Sequence, residues 1–215
     1  RYRLPLQRGA DRAAAGALRE PWLDAILRAE CGAAGAVLLD VGANCGQTLL
    51  RAAAINPRLR YLGCEPNPTA AGYLQALVAG NRLPNCTVLC CALAARPGVG
   101  RLTGRTPVDP SATLIANFRA PEPSLLHTDV LLEVGDQLLE HLAIERLDLV
   151  KIDVEGGEAE ALHGLERSLR RHRPVVVCEV LRSHTPDHPS HGFRQASKRD
   201  LEQFFAALGY QSFGI

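Results

Sequence analysis

Four apolar segments of the sequence each carry an acidic residue at or near the end, namely Asp40, Glu65, Asp153 and Glu179. The segments are short and rich in Val, Leu, Ile and Cys, a pattern typical of parallel strands buried on both faces. Parallel strands bring their carboxyl ends to one edge of a sheet, and ligands bind there. Because four carboxylates at one edge would repel one another, we expect a cationic ligand or a metal ion between them.

The first of these segments continues into a glycine-rich turn with the sequence Asp-Val-Gly-Ala-Asn-Cys-Gly at residues 40–46. Helix-forming residues follow at 47–55, and Asn56-Pro57 ends them. A strand, a glycine-rich turn and a helix form the opening unit of nucleotide-binding α/β folds. In such units, backbone N–H groups at the helix N-terminus approach the ligand.

The acidic residue before the turn restricts the choice of ligand. Asp40 would repel a pyrophosphate, so the turn does not favour a dinucleotide, and a dehydrogenase is the disfavoured rival. S-adenosylmethionine carries a sulfonium and an α-ammonium group, and both complement a carboxylate. We therefore predict S-adenosylmethionine as the cofactor, with a purely structural glycine turn as the alternative interpretation of these residues.

Two further segments supply candidate contacts to the nucleoside of this cofactor. Glu65 ends the second strand, where a carboxylate can accept hydrogen bonds from both hydroxyls of a ribose. Contact with the N-terminus of the helix that follows Pro66 is the alternative. Cys91 and Ala92 are expected at the carboxyl end of a third strand over residues 86–93, where backbone groups would border the adenine.

The rest of the sequence predicts the elements that hold these residues in place. Pro21 is expected to begin a helix. We expect residues 1–36 to form a helical segment that packs on or covers the core, and residues 37–215 to form the main domain of a single globular unit. The pattern predicts a hairpin and loop over 96–129, helices over 159–171 and 198–208, and a final strand over 210–215.

Composition limits the classes of protein to which the chain can belong. The 215 residues are 47% hydrophobic and have a formal net charge of +1, which fits one domain with a large core and does not indicate a nucleic-acid partner. No apolar run approaches the ~20 residues of a membrane helix. The seven cysteines include no C-x-x-C pair. We therefore expect free thiols, no structural zinc and a reducing, cytoplasmic location.

The chain begins at Arg1 and contains no methionine, so we interpret it as a domain of a longer protein from which a targeting segment could have been removed.

Taken together, the motifs resemble those of the FkbM-type S-adenosylmethionine-dependent methyltransferases. The resemblance rests on the turn at 40–46, on Glu65-Pro66, on Lys-Ile-Asp-Val-Glu-Gly-Gly-Glu at 151–158 and on the run from 173 to 179. It covers residues 37–208, and the 151–158 block is its most specific part. The resemblance implies a Rossmann-like class I methyltransferase fold, with a seven-stranded, mostly parallel central sheet and helices on both faces. Because the chain stops at Ile215, we expect the last antiparallel hairpin of that sheet to be incomplete.

The resemblance also implies roles for individual residues. It assigns the methionine part of the cofactor to Asp40, Gly42, Asn44 and Gly46. It assigns the ribose to Glu65, and it puts Asp153 and Glu155 beside the methyl-transfer centre. Asp153 therefore belongs to both the cofactor-binding and the catalytic candidates.

The reaction expected from this resemblance is transfer of the sulfonium methyl group to a second substrate, a small molecule or a glycan. FkbM-type enzymes methylate hydroxyls of sugars and natural products, but the sequence does not identify the acceptor. A base within hydrogen-bond reach would assist a hydroxyl. The candidate bases are Asp153, Glu155, His184, His188 and His191. Because residues two apart on a strand share a face, we expect Asp153 and Glu155 to face the centre together and one of the two pKa values to be raised.

Two other functions remain open at the level of the sequence. In a metal-assisted methyltransferase, Asp153, Glu155 and Glu179 with a histidine would hold a divalent ion that polarises the acceptor hydroxyl. A non-catalytic module would bind S-adenosylmethionine without turnover.

Overall fold

A computed structural model describes residues 21–116, 118, 124–180 and 190–214 of the chain. The strands are β1 Val37–Val41, β2 Arg60–Cys64, β3 Cys86–Leu89, β4 Ala92–Leu93, β5 Gly98–Gly104, β6 Leu126–Glu133, β7 Leu149–Ile152 and β8 Val175–Cys178. The helices are α1 Pro21–Cys31, α2 Gln47–Ile55, α3 Pro68–Gly80, α4 Gly135–His141, α5 Glu158–His163, α6 Glu166–His172 and α7 His191–Ala207.

Five of these strands form a parallel sheet in the order β3-β2-β1-β7-β8. The register aligns the last residue of β1 with the last residues of β2 and β7, and aligns the last residue of β7 with the last residue of β8. The residues that follow, Gly42, Glu65, Asp153 and Glu179, consequently lie along one edge of the sheet. The sequence prediction that these strand ends meet is confirmed, and so is the mostly parallel α/β fold.

Helices cover both faces of this sheet because side chains alternate along each strand. Leu39 and Val41 of β1 pack in a core with residues of α4, α5, α6 and α7, such as Leu139, Leu162 and Leu169. Leu38 points to the opposite core, which α1, α2 and α3 cover. The buried acidic residue Asp40 shares this second face, so its carboxylate lies under the helices.

The predicted third strand over 86–93 is wrong in its second half. The chain leaves the main sheet after Leu89, and exposed Cys90 separates β3 from β4. The short strand β4 pairs with β6 in a separate three-stranded sheet of order β4-β6-β5, in which β5 and β6 are antiparallel. The seven-stranded sheet implied by the resemblance is therefore a five-stranded sheet within the described residues.

Two other predicted elements also differ from the structure. The helix expected over 159–171 is broken into α5 and α6, because Asp136 accepts hydrogen bonds from the backbone N–H groups of Arg167 and Ser168 and starts a new helix there. A Cβ at Gly164, between the two helices, would lie 2.3 Å from the carbonyl oxygen of Ala94. The final strand expected over 210–215 is not formed by residues 210–214, the part of that range which the structure describes.

Helix α1 covers Pro21–Cys31, and residues 1–20 of the predicted helical segment lie outside the described residues. Leu23 and Leu27 of this helix are buried in the core shared with α2 and α3. The side-chain amide of Asn56 donates hydrogen bonds to the carbonyl oxygens of Cys31 and Ala33, which fixes the end of α1 against the main domain. Among the helices of the described residues, none combines the length and the apolar character that crossing a membrane requires.

Candidate active site

A cavity of about 700 Å³ opens at the edge of the sheet where the strand ends meet. This volume is typical of a binding site for a small molecule or cofactor. The turn after β1, the ends of β2 and β7, strand β4 and the three-stranded sheet all contribute to its wall. Its carboxylate-bearing lining residues are Glu65, Asp109, Asp153, Glu155, Glu160 and Glu179, and its cationic lining residues among those described are Arg51 and Lys151.

The glycine turn after β1 lies against the chain that follows β7. Gly42 has a φ of 82°, and a Cβ at this position would lie 1.9 Å from the backbone oxygen of Asp153. The backbone N–H of Asp153 in turn donates a hydrogen bond to the carbonyl of Val41. Glycine is therefore required at position 42 both for its backbone conformation and for this close approach.

Glu65 connects the turn to the end of β2. One carboxylate oxygen accepts a hydrogen bond of 2.8 Å from the backbone N–H of Asn44, and the other accepts one of 2.8 Å from the N–H of Asn67. Burial raises the pKa of Glu65 to about 7, although both hydrogen bonds favour the ionised form. Asn67 caps helix α3 with its own side chain, and Glu65 accepts the N–H of this capping residue, so the contact with the helix N-terminus that the sequence offered as an alternative is present in the structure.

Asp40 is fully buried and does not line the cavity. Its carboxylate accepts a 2.6 Å hydrogen bond from the hydroxyl of Tyr61, and its other oxygen lies 3.9 Å from the ammonium nitrogen of Lys151. Burial raises the pKa of Asp40, while Lys151 and Tyr61 act in the opposite direction. Asp40 therefore contacts the site only indirectly, through Lys151, which does line the cavity.

Lys151 also neutralises the first carboxylate of the 151–158 block. Its ammonium nitrogen lies 3.1 Å from Oδ2 of Asp153. Desolvation acts to raise the pKa of Asp153, but the charge of Lys151 and a hydrogen bond with Glu179 outweigh it, and the pKa is lowered. The raised pKa belongs instead to Glu179, at about 8, because of desolvation and the contact with Asp153.

The pairing of carboxyl groups therefore differs from the prediction. Strand β7 ends at Ile152, and Glu155 has a left-handed φ of 52°. The alternation of side chains along a strand does not extend to this residue. Asp153 and Glu155 both line the cavity, but the carboxyl group that shifts the pKa of Asp153 is that of Glu179.

A covering segment, residues 105–116, closes the cavity from the side of the three-stranded sheet. At one end, the side-chain amide of Asn67 donates a hydrogen bond to the carbonyl of Pro107. At the other, buried Thr113 donates from Oγ1 to the backbone oxygen of Glu155 at 2.7 Å and accepts from the N–H of Ile115. The covering segment thus connects the loop after β2 with the loop after β7.

We expect Thr113→Val to loosen this covering segment without changing the fold. Valine has nearly the same shape but leaves the Glu155 carbonyl and the Ile115 N–H without their partner, at a cost of about 1–3 kcal/mol. Hydrogen exchange should accelerate in residues 105–116 and 153–157. Thr128→Val, in an exposed position of β6, is the control and should exchange as the wild type does. Unchanged protection in Thr113→Val would show that the hydrogen bond does not hold the covering segment.

The remaining predicted site residues have the following positions. Asn44, Cys91 and Ala92, which the sequence assigns to the cofactor, line the cavity. Gly46 is buried at the start of α2, where a Cβ would lie 2.6 Å from a side-chain carbon of Leu74. His191 begins α7 and is not among the residues lining the cavity. His184 and His188 lie outside the described residues.

Glu158, the last residue of the 151–158 block, precedes the rest of helix α5 and bonds back to the loop before it. Its buried carboxylate accepts hydrogen bonds from the backbone N–H groups of Gly156, at 3.0 Å, and of Val154. It therefore holds the loop between β7 and α5 in shape.

Within the described part of the chain, no group of three or more His, Cys, Asp or Glu side chains is placed to hold a metal ion. The metal-assisted alternative has no ligand set in these residues. All seven cysteines are free thiols.

Two residues of the site were not singled out as such from the sequence. Lys151 was visible as a lysine inside an apolar strand, two residues before an aspartate, and a buried cation in that position indicates a carboxylate partner. Thr113 lies in the segment 96–129, for which the sequence predicts only a hairpin and loop. Nothing in the sequence indicated its hydrogen bond to Glu155, which is 42 residues away.

A five-stranded parallel sheet, with its ligand cavity at the carboxyl ends of the strands and helices on both faces, defines a Rossmann-like methyltransferase fold. The structure of a precorrin-6y C5,15-methyltransferase from Geobacter metallireducens superimposes with a TM-score of 0.50 at 14% identity, over 97% of this chain and 78% of that one. The fibrillarin of Aeropyrum pernix, solved with natively bound S-adenosyl-L-methionine, matches with a TM-score of 0.46 at 18% identity, over 87% of this chain and 66% of that one.

Sequence comparison gives the family. The model of the methyltransferase FkbM domain matches residues 40–212. The 31-O-demethyl-FK506 methyltransferase FkbM of Streptomyces tacrolimicus is 30% identical, and the match covers 68% of this chain and 65% of that protein. The chain thus spans about 65% of the length of this relative. The protein belongs to the FkbM methyltransferase family, whose cofactor is S-adenosylmethionine.

Proposed function

We propose that the protein transfers the methyl group of S-adenosylmethionine to a hydroxyl of a small molecule or glycan. When bound, the cofactor supplies an electrophilic methyl group on a sulfonium. The observation that carries the proposal is the distribution of carboxylates in the cavity. Glu65 stands on the β2 side, while Asp153, Glu155 and Glu179 stand on the β7 and β8 side.

The residues present fit this cofactor. Each oxygen of Glu65 accepts one backbone N–H, and a carboxylate oxygen retains capacity for a further donor such as a ribose hydroxyl. Asn44, Cys91 and Ala92 line the same cavity. We assign the ribose to Glu65, the adenine to the chain at 91–92, and the methionine part to the turn at 42–44, with Asp40 and Gly46 supporting that turn from inside.

The acidic lining also favours this cofactor over a dinucleotide. A pyrophosphate would meet six carboxylate-bearing residues. Both cations that line the described cavity are already paired, Arg51 with Asp24 at 2.7 Å and Lys151 with Asp153. A sulfonium lowers the repulsion among the carboxylates, whereas a dianion increases it.

Two features support an uncharged hydroxyl as the acceptor. The Streptomyces tacrolimicus relative is named for methylation of an oxygen of a demethylated natural product. The three-stranded sheet and the covering segment present apolar side chains to the cavity, including Leu102, Leu114 and Leu132. An acceptor with an apolar face and a hydroxyl at its edge would pack against these residues and direct the hydroxyl toward the carboxylates of β7 and β8.

The proposed function is tested by two measurements on the wild-type protein. Calorimetry should show binding of S-adenosylmethionine and of S-adenosylhomocysteine, and no comparable binding of NAD. Incubation with labelled cofactor and a panel of hydroxylated natural products and sugars should produce S-adenosylhomocysteine together with a labelled ether. Cofactor binding without transfer to any member of a broad panel would instead support a non-catalytic binding module.

A further inference from the structure

The carboxyl groups of Asp153 and Glu179 lie side by side at the cavity wall. Each immediately follows a strand, and the last residues of the two strands, Ile152 and Cys178, are aligned in the parallel register. The backbone N–H of Glu179 donates to the carbonyl of Ile152. The two carboxyl groups are therefore close enough for each to change the proton affinity of the other: the pKa of Asp153 is lowered and that of Glu179 is raised.

The two groups have different surroundings. Asp153 receives the ammonium of Lys151 at 3.1 Å on one oxygen, so its negative charge is compensated. Among the described residues, Glu179 forms no ion pair with a lysine or arginine. The carboxylates of Asp153, Glu155 and Glu158 all act on it electrostatically.

The remaining titratable neighbours do not alter this difference. The thiol of Cys178 beside the pair has its pKa raised by burial and stays neutral. Arg194 and Lys198 of helix α7 line a small separate cavity together with Glu158. Glu179 therefore binds a proton more tightly than Asp153 does, and its pKa of about 8 lies near the value that suits a general base at neutral pH.

We propose that Glu179 is the general base of the reaction and that Asp153, held by Lys151, is the positioning residue that sets its proton affinity. This proposal rests on the proposed methyl transfer. The acceptor oxygen forms a bond to the methyl carbon as the carbon–sulfur bond breaks, and that electron pair remains on sulfur. The hydroxyl proton passes to the ionised carboxylate of Glu179 and is later released to solvent. No further reactant is needed for this balance.

The first test is independent of turnover. Infrared difference spectra of the free protein between about pH 6 and about pH 10 should show two protonated carboxyl groups lost, Glu65 with a midpoint near pH 7 and Glu179 with a midpoint near pH 8. Glu65→Gln should lack the first signal, and Glu179→Gln should lack the second. Asp153→Asn should shift the Glu179 midpoint to lower pH, because a neighbouring negative charge has been removed. Glu202→Gln, an exposed position on α7, should retain both signals. A signal near pH 8 that persists in Glu179→Gln would overturn the proposal.

The second test uses turnover with an acceptor that the wild type methylates. The wild-type rate should rise with pH and level off above about pH 8, since only ionised Glu179 can accept the proton. Glu179→Gln should lose this pH dependence and about 10²-fold or more in kcat, with cofactor affinity nearly unchanged. Asp153→Asn should keep more activity than Glu179→Gln and move the pH limb downward. The reverse order of the two variants would make Asp153 the base and overturn the assignment.

Failure of the underlying function is distinguishable from failure of the base assignment. A wild-type protein that binds the cofactor but methylates nothing would refute methyl transfer, and the base assignment would fall with it. A wild type that turns over while Glu179→Gln keeps both its rate and its pH profile would refute the base assignment alone.

Discussion

Gly42→Ala will remove cofactor binding and destabilise the protein by more than about 4 kcal/mol. Single substitutions cause losses of this size only when they disrupt a packed or strained site. The new Cβ would lie 1.9 Å from the backbone oxygen of Asp153, and no rotation of a methyl group relieves that overlap. The turn would have to move away from the end of β7. This movement would strain the hydrogen bond from the Asp153 N–H to the Val41 carbonyl and displace both sides of the proposed methionine site.

Gly35 supplies the matched control for this experiment. It has a similar φ of 74°, but a Cβ there would meet no atom within 4 Å. Gly35→Ala should therefore incur only the backbone cost, about 1–2 kcal/mol, and bind the cofactor normally. For a chain of this size, 1 kcal/mol corresponds to about 2–4 °C in Tm, so thermal melting separates the two variants. Equal melting temperatures for Gly42→Ala and Gly35→Ala would contradict the close approach seen in the structure.

Glu65→Gln should weaken cofactor binding at least about tenfold. A hydrogen bond to a charged group contributes about 1.5–3 kcal/mol, and 1.4 kcal/mol corresponds to a factor of ten in affinity. The glutamine amide would also turn a donor toward the N–H of Asn44 or Asn67, each of which now donates to the carboxylate. Glu65→Ala should lose at least as much affinity and should also lower the stability, because both loops lose their acceptor.

Calorimetry on both variants checks this expectation, with Glu202→Gln as the surface control. Wild-type affinity in Glu65→Gln would show that the carboxylate organises the two loops and does not contact the cofactor.

The same residue should make cofactor binding depend on pH. The pKa of Glu65 is about 7 in the free protein, so the carboxyl group is largely protonated at lower pH and accepts fewer hydrogen bonds. The affinity should rise as the pH increases through 7 and then level off, and binding near pH 6.5 should release protons. Without cofactor, the stability contributed by this group should fall as the pH rises from its unfolded pKa of 4.5 through 7. Glu65→Gln should remove both effects.

The secondary structure predicted from the sequence was most accurate where local signals were strong. The apolar run and turn at 37–46 gave β1 and the start of α2. The secondary-structure prediction failed where a contact with a distant part of the chain overrode the local preference for helix or strand. Residues 159–171 have good helical propensity apart from Gly164, but Asp136 caps their second half from another helix. Residues 86–93 are continuously apolar, yet their last part pairs with β6 in another sheet.

In the candidate site, too, some features were predictable from local sequence signals and others depended on distant contacts. The identity of the cofactor and the residues at the strand ends followed from the sequence, because acidic residue types at the ends of parallel strands limit the ligands that can bind. The sequence did not indicate which carboxyl group lies beside which partner. Asp40 was expected at the turn, but it is buried beneath the site and paired with Tyr61.

The sequence by itself determined the fold class, the family and the edge of the sheet where the candidate site lies. These depend on local patterns: apolar runs, glycine turns and acidic residues that follow strands. The tertiary structure alone decided which carboxyl group faces which partner. Lys151 lies beside Asp153 and not beside Glu179, and Thr113 reaches the backbone of Glu155 from a covering segment 42 residues away. Proton affinity depends on burial and on charges within a few ångströms, and the folded chain alone brings those groups together.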